Sequence, residues 1–243
     1  RSVTKPHPLW SSQVLLDEPY LVETAHADFI NAGAKVITLN TYTATKERLD
    51  RDGAKGLFNR LQDKAIEVAN RARDRCKISD VRIAGCLPPL YGSYKPEFAP
   101  PLDECIERYQ LISEKQAPYV DLFICETMSS VKEAKAAITA ATSQNLETWC
   151  SLTILDQKKS FLRSNEPLEE ALIQLQEFDQ TANLINCSAP EAITFAIDWL
   201  KKDNRPFGAY ANGFTSIDAL EVGGTVEVLK ARKDLGPPAY LIH

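Results

Sequence analysis

Residues 121–154 read DLFICETMSSVKEAKAAITAATSQNLETWCSLTI, and this stretch decides the fold class. It opens with a short apolar run at residues 121–125 and continues through an alanine-rich segment at residues 131–141. It ends in a second β-like run at residues 147–154. Apolar runs of this length, separated by an amphipathic crossover, are typical of parallel strands. The stretch therefore predicts a strand–helix–strand unit of an α/β protein.

The same alternation extends in both directions along the chain. Apolar residues at helical spacing predict helices between the strands, as in residues 57–72, 105–112, 168–175 and 190–200. The predicted strands are residues 35–39, 81–85, 121–125, 147–154, 182–187 and 207–211.

A further helix is predicted at each end of this series. The last one covers residues 225–233, and the first has Asp17 as its cap and Pro19 in its first turn. The buried face of the first helix is predicted to carry Val22, Ala25 and Phe29.

Six strands flanked by two helices predict one more strand before the first helix and one after the last. Eight such units close a (β/α)8 TIM barrel. An open, doubly wound sheet is the alternative, but no G-x-G-x-x-G turn follows any strand. We expect residues 1–243 to be a single (β/α)8 domain that is incomplete at both ends, with its first and eighth strands missing.

Composition excludes several classes of protein. The chain has 243 residues, a net charge of −5 and no basic stripe, so nucleic acid is not an expected partner. No apolar run approaches the roughly 18 residues of a membrane helix. The six cysteines form no C-x-x-C pair, which favours reduced cysteines in a cytoplasmic protein.

Two residues at predicted strand ends carry the strongest chemical signals. Glu126 directly follows the apolar run at residues 122–125, so its carboxylate needs a cationic partner. A substrate ammonium group, a lysine or arginine, or an N-cap role would each satisfy it. Cys187 ends another strand and is a nucleophile, a metal ligand or core filler. The three histidines offer no evident base for a nucleophile.

Six short segments, in this order, resemble the homocysteine S-methyltransferase family over essentially the whole chain. The Pro-Leu-Trp-Ser segment is more similar to members that use S-methylmethionine than to those that use betaine. The segments are residues 8–12, residues 32–34 leading into 40–42, residues 84–89, residues 125–127, residues 186–187 and residues 208–212.

The resemblance implies a barrel that binds Zn²⁺ through three cysteine thiolates, of which Cys187 matches the first. The other two form a Cys-Cys pair that we expect beyond His243. It also implies that Glu126 holds the amino group of homocysteine, and that Asn186 and Asn212 orient ligands. Further substrate-binding positions are Asn40, Tyr42 and Thr127.

The expected reaction moves a methyl group from S-methylmethionine, S-adenosylmethionine or betaine to the thiol of L-homocysteine, giving methionine. Zinc would keep that thiol as the thiolate. One alternative is another barrel enzyme, such as an aldolase or decarboxylase, but that chemistry favours a strand-end lysine or a phosphate loop. The other is a metal-free, non-catalytic homologue. The sequence leaves the oligomeric state open.

Overall fold

The computed structural model describes Leu9, residues 11–214 and residues 230–234. Six parallel strands form one sheet in the order β1-β2-β3-β4-β5-β6, which confirms the predicted series. Their bounds are β1 Val36–Thr38, β2 Arg82–Leu87, β3 Leu122–Met128, β4 Glu147–Leu152, β5 Ala182–Asn186 and β6 Phe207–Tyr210.

Helices connect consecutive strands, as parallel pairing requires. Two short 3-10 turns, Pro96–Phe98 and Ala117–Tyr119, flank α5. The α-helices are α1 Ser11–Asp17, α2 Pro19–Asn31, α3 Lys46–Arg51, α4 Phe58–Cys76, α5 Leu102–Gln116, α6 Val131–Thr142, α7 Leu168–Leu175 and α8 Pro190–Leu200.

Helix α6 shows how the sequence fixes one of these elements. Ser130 is its N-cap, and the Ser130 hydroxyl accepts a hydrogen bond from the backbone N–H of Glu133. The small side chains of its alanine-rich segment are buried against the sheet and α5, where they allow close packing. A large apolar core therefore lies between the helices and the sheet.

The opposite face of the sheet carries a small apolar cluster made of Ala84, Leu122 and Ile124. The sheet curls around this face. In a flat sheet, β3 and β6 would lie roughly 14 Å apart, because neighbouring strands are about 4.8 Å apart. Yet the Tyr210 hydroxyl of β6 donates a hydrogen bond to the Glu126 carboxylate of β3. The strand ends therefore converge on one mouth.

Three details of the sequence prediction are wrong. Asp17 ends α1 and Glu18 is the N-cap of α2. Ala25 and Phe29 are exposed, with Phe29 at 68%. The buried face of α2 is instead made of Val22, Glu23, Ala27 and Ile30.

The shift of that face has a physical cause. Glu23 forms ion pairs with Arg71 and Arg75 of α4, so α2 turns its Glu23 side toward α4. The sequence prediction also omitted α1 and α3.

The predicted final helix is wrong in the part that the structure describes. Ala231 forms an antiparallel bridge with Phe214, and the Arg232 N–H donates to the Gly213 carbonyl. These contacts take residues 230–233 out of a helical path, and residues 225–229 lie outside the described residues. Within the described ranges, no helix has the length and apolarity needed to cross a membrane.

Candidate functional site

The carboxyl ends of β3 and β5 bring two pairs of consecutive side chains to the mouth. Side chains alternate between the two faces of a strand, so one residue of each pair should point away. Thr127 and Cys187, however, have φ values of 62° and 51°, in the left-handed region. This turn of the backbone directs Thr127 toward Asn186, whose Nδ2 donates to Thr127 Oγ1 at 2.7 Å. Residues in such conformations occur often at functional sites.

Glu126 lies half-buried at the end of β3. Its carboxylate accepts hydrogen bonds from the Tyr210 hydroxyl and from the Cys86 thiol, with Cys86 Sγ at 3.3 Å. No lysine or arginine in the described part of the chain forms an ion pair with it, and the N-cap of α6 is Ser130. Neither structural alternative for Glu126 is therefore seen, and the carboxylate remains without a cationic partner among these residues.

The thiol of Cys187 lies at the same mouth, next to the ends of β3 and β5. Cys187 Sγ accepts hydrogen bonds from Asn186 Nδ2 at 3.3 Å and from Thr127 Oγ1 at 3.7 Å. Burial raises the pKa of the thiol, and the Thr127 hydrogen bond partly opposes that rise. His26 lies on α2, and no histidine of the described residues contacts Cys187. The geometry gives no support to a cysteine nucleophile with a histidine base.

Tyr42 and Asn40 follow β1, and their side-chain hydrogen bonds are to residues other than Glu126 and Cys187. The Tyr42 hydroxyl bonds to Ser93 Oγ at 2.8 Å, and its ring stacks against the Arg48 guanidinium at 5.1 Å. Burial raises the pKa of Tyr42. Asn40 Nδ2 donates to the Ser11 carbonyl, so this amide holds the α1 segment. The substrate-binding role of both residues stays a prediction.

Asn212, which follows β6, has an unsatisfied group. Its backbone N–H donates to the Ser188 carbonyl at 2.9 Å, which places it beside the Cys187 turn. Its side-chain Nδ2 is buried and has no hydrogen-bond partner among the residues that the structure describes. A buried donor without a partner is costly, so this amide is available to a ligand.

The sequence reasoning missed Tyr210 and Arg163. Tyr210 lies within the motif at residues 208–212, two residues before Asn212, and its position at a strand end is a usable signal. Arg163 lies in the long loop at residues 153–167, and long loops after barrel strands are commonly functional. Its partners, however, cannot be found from spacing, because they include the Cys187 turn and the loop that follows β2.

Cys187 is the residue at the mouth that was predicted to bind a metal ion. Thiolate is a preferred ligand of zinc, and Cys187 carries a thiol at a half-buried position. Among the residues that the structure describes, no three His, Cys, Asp or Glu side chains are grouped to hold a metal. The described residues alone therefore do not form a complete metal site, and the role of Cys187 as a metal ligand stays a prediction.

Comparison with known proteins identifies the family. The family model described as homocysteine S-methyltransferase matches residues 1–234. The homocysteine S-methyltransferase of Escherichia coli strain K12 is 28% identical over 87% of this chain and 73% of its own length. The corresponding values for homocysteine S-methyltransferase YbgG of Bacillus subtilis strain 168 are 28%, 86% and 72%.

Selenocysteine methyltransferase of Astragalus bisulcatus is also 28% identical, over 88% of this chain and 72% of its own. The fold is similar to that of a solved structure, the metallated form of the homocysteine methyltransferase MmuM of Escherichia coli. The TM-score is 0.78 at 24% identity, covering 93% of this chain and 83% of that one. Because the family model spans nearly the whole sequence, the chain belongs to the homocysteine S-methyltransferase family of enzymes.

Proposed function

We propose that this enzyme uses zinc to move a methyl group from a sulfonium or quaternary ammonium donor to the thiol of L-homocysteine, giving methionine. The observation that carries the proposal is the pairing of Glu126 with Cys187 at one mouth. The Glu126 carboxylate, which has no cationic partner among the described residues, and the Cys187 thiol lie at the carboxyl ends of β3 and β5, with β4 between them. Homocysteine presents the complementary groups, an ammonium and a thiol.

Glu126 is proposed to bind the substrate ammonium. Tyr210 and Cys86 hold its carboxylate by two hydrogen bonds and leave its negative charge uncompensated among the described residues. A charge-assisted hydrogen bond from an ammonium would satisfy it. Thr127, Asn186 and Asn212 are proposed to orient the substrate around this contact.

Cys187 is proposed as the first zinc ligand, and two further cysteines are proposed beyond His243. The metallated form of MmuM supports a metal in a protein of the same fold. A zinc ion bound in this way would supply the Lewis acidity that keeps an acceptor thiol deprotonated at neutral pH. Asn186 and Thr127 would hold Cys187 Sγ in place through their hydrogen bonds.

The transfer balances without a redox partner. The bond between the methyl carbon and the donor sulfur or nitrogen breaks, and a bond forms between that carbon and the acceptor sulfur. The electron pair of the breaking bond returns to the donor atom and neutralises its positive charge. The acceptor proton leaves to solvent when the thiol ionises. S-methylmethionine is the proposed donor, with S-adenosylmethionine and betaine as the others to be tested.

The proposal includes a closed (β/α)8 barrel, in which one strand precedes α1 and one follows the described sheet. Residues 1–243 would then be most of one domain, and its location is proposed as the cytoplasm. The curl that brings β3 and β6 into contact is the feature that favours closure.

The test is methionine formation from homocysteine by the full-length protein with each of the three donors. Selenocysteine is tested as an alternative acceptor by formation of Se-methylselenocysteine. Methionine formed in proportion to bound zinc supports the proposal. If no donor gives methionine and no zinc binds, the non-catalytic homologue is the better description. The aldolase or decarboxylase alternative lacks support, because none of the six described strands ends at a lysine.

A further inference from the structure

The loop between β4 and α7 encloses the turn that carries Cys187. Thr153 Oγ1 donates to the Cys187 carbonyl at 3.3 Å, and the Ile154 N–H donates to Ser188 Oγ at 3.0 Å. Asp156 Oδ1 accepts from the Ala189 N–H at 2.7 Å. Each residue from Cys187 to Ala189 is therefore hydrogen-bonded to the segment at residues 153–156.

Arg163 closes this arrangement from the far side of the same loop. Its Nη2 lies 3.4 Å from the Cys187 carbonyl oxygen and 3.7 Å from Asp156 Oδ1, and its Nε lies 3.5 Å from Thr153 Oγ1. The guanidinium also stacks on the Tyr94 ring at 4.8 Å. Only 8% of Arg163 is exposed. The side chain thus touches the Cys187 turn, its own loop and the loop that follows β2.

The Cys187 carbonyl needs such donors because of its backbone conformation. A left-handed cysteine costs free energy, and it persists only where the surroundings fix it. The Cys187 N–H is held by the Tyr210 carbonyl at 3.2 Å, and the carbonyl is held by Thr153 and Arg163. If the turn relaxed to an extended conformation, the thiol would point to the other face of the sheet.

We propose that Arg163 is a positioning residue that fixes the Cys187 turn, so that the thiol faces the mouth and binds metal. The geometric part stands on the contacts above, and the metal part rests on the proposed function. No residue of this loop was among the predicted site residues, and Arg163 touches the cysteine backbone, not the substrate.

The experiment compares Arg163→Met and Arg163→Lys in the full-length protein. Zinc affinity is measured by competition with a chromophoric chelator, and amide exchange of residues 185–189 is measured in the metal-free protein. Arg163→Met should lower zinc affinity about tenfold to a hundredfold. It should also speed exchange of the Cys187 amide about tenfold, while the other amides of β5 keep their protection. Arg163→Lys, which keeps the charge but not the planar fork, should recover part of both losses.

Arg205→Met is the matched control. Arg205 also donates to two backbone carbonyls, those of Gln176 and Phe178, but it lies just before β6, away from the mouth. It should lower the melting temperature and leave zinc affinity unchanged. If Arg163→Met fails to fold, Thr153→Val removes another donor to the same carbonyl and takes its place.

The proposal requires that Arg163→Met both lowers zinc affinity and speeds exchange of the Cys187 amide. Where Cys187→Ser has lost its zinc, a folded Arg163→Met protein that keeps wild-type zinc affinity, or wild-type exchange at Cys187, overturns the positioning role. The metal assignment is separately decided by Cys187→Ser. If that variant keeps its zinc, the proposed metal ligand is wrong, and the exchange rate alone then decides whether Arg163 holds the turn.

Discussion

Replacing Glu126 by glutamine removes a charge and keeps the shape of the side chain. The glutamine Oε1 can still accept the Tyr210 hydrogen bond, and the described residues provide no ion pair that the change would break. The fold should therefore survive. The substrate ammonium, in contrast, loses its charged partner. A hydrogen bond to a charged group contributes roughly 1.5–3 kcal/mol. The KM for homocysteine should then rise on the order of tenfold to a hundredfold.

The assay is steady-state kinetics in which each substrate is varied in turn, with zinc analysis and a melting curve for the same preparation. Zinc content and the KM for the methyl donor should change little. Glu147→Gln is the control, because Glu147 lies at the start of β4, where it pairs with Arg82 and accepts from Trp149 Nε1 at 2.7 Å. It should lower stability without changing the KM for homocysteine. An unchanged KM for homocysteine in folded, zinc-loaded Glu126→Gln would refute the role of Glu126.

Three further predictions concern the metal, the mouth and the pH dependence of stability. Cys187→Ser should lose most of the bound zinc in the full-length protein, as measured by metal analysis, whereas Cys150→Ser should retain it; equal zinc in both variants would contradict the ligand assignment. Tyr210→Phe removes one hydrogen bond from Glu126, worth about 1 kcal/mol, and should raise the KM for homocysteine about fivefold; a KM equal to that of the wild type would argue against this role. Burial raises the pKa of Glu133 from 4.5 to about 7, so the folded protein binds more protons than the unfolded chain between these values. The stabilising contribution of neutral Glu133 is complete below 4.5 and is lost as the pH rises through about 7, which should lower the free energy of unfolding by about 2 kcal/mol between about pH 5 and about pH 8. Glu133→Gln should flatten that slope in urea titrations, and parallel curves for the two proteins would show that Glu133 is not its source.

The strand positions can be predicted from the sequence because each strand is a short local run with its own composition. The placement of Glu126 and Cys187 at one edge of the sheet can also be predicted, since parallel strands all end at the same edge. The direction of Thr127 and Cys187 is different. Nothing in a threonine or cysteine favours a left-handed backbone, so that conformation depends on contacts from distant loops.

The buried face of α2 could not be predicted for a related reason. Phe29 is the more apolar choice, yet Glu23 is turned inward by two arginines that lie on α4. The role of Asn40 could not be predicted for the same reason, because its side-chain amide donates a hydrogen bond to the Ser11 carbonyl. Sequence spacing predicts where a side chain lies on a helix or strand. The residue that it contacts depends on how another element packs against it.

The left-handed residues at the ends of β3 and β5 also change how many side chains a parallel sheet of fixed size can present at one edge. An extended strand offers its active-site mouth one side chain from each two residues, so richer chemistry usually requires longer loops. By turning one residue at the strand end, this chain presents Glu126 with Thr127 and Asn186 with Cys187. Neighbouring positions in the gene thus become neighbouring groups in the site, and a designer who transplants the chemistry must transplant the backbone turn with it.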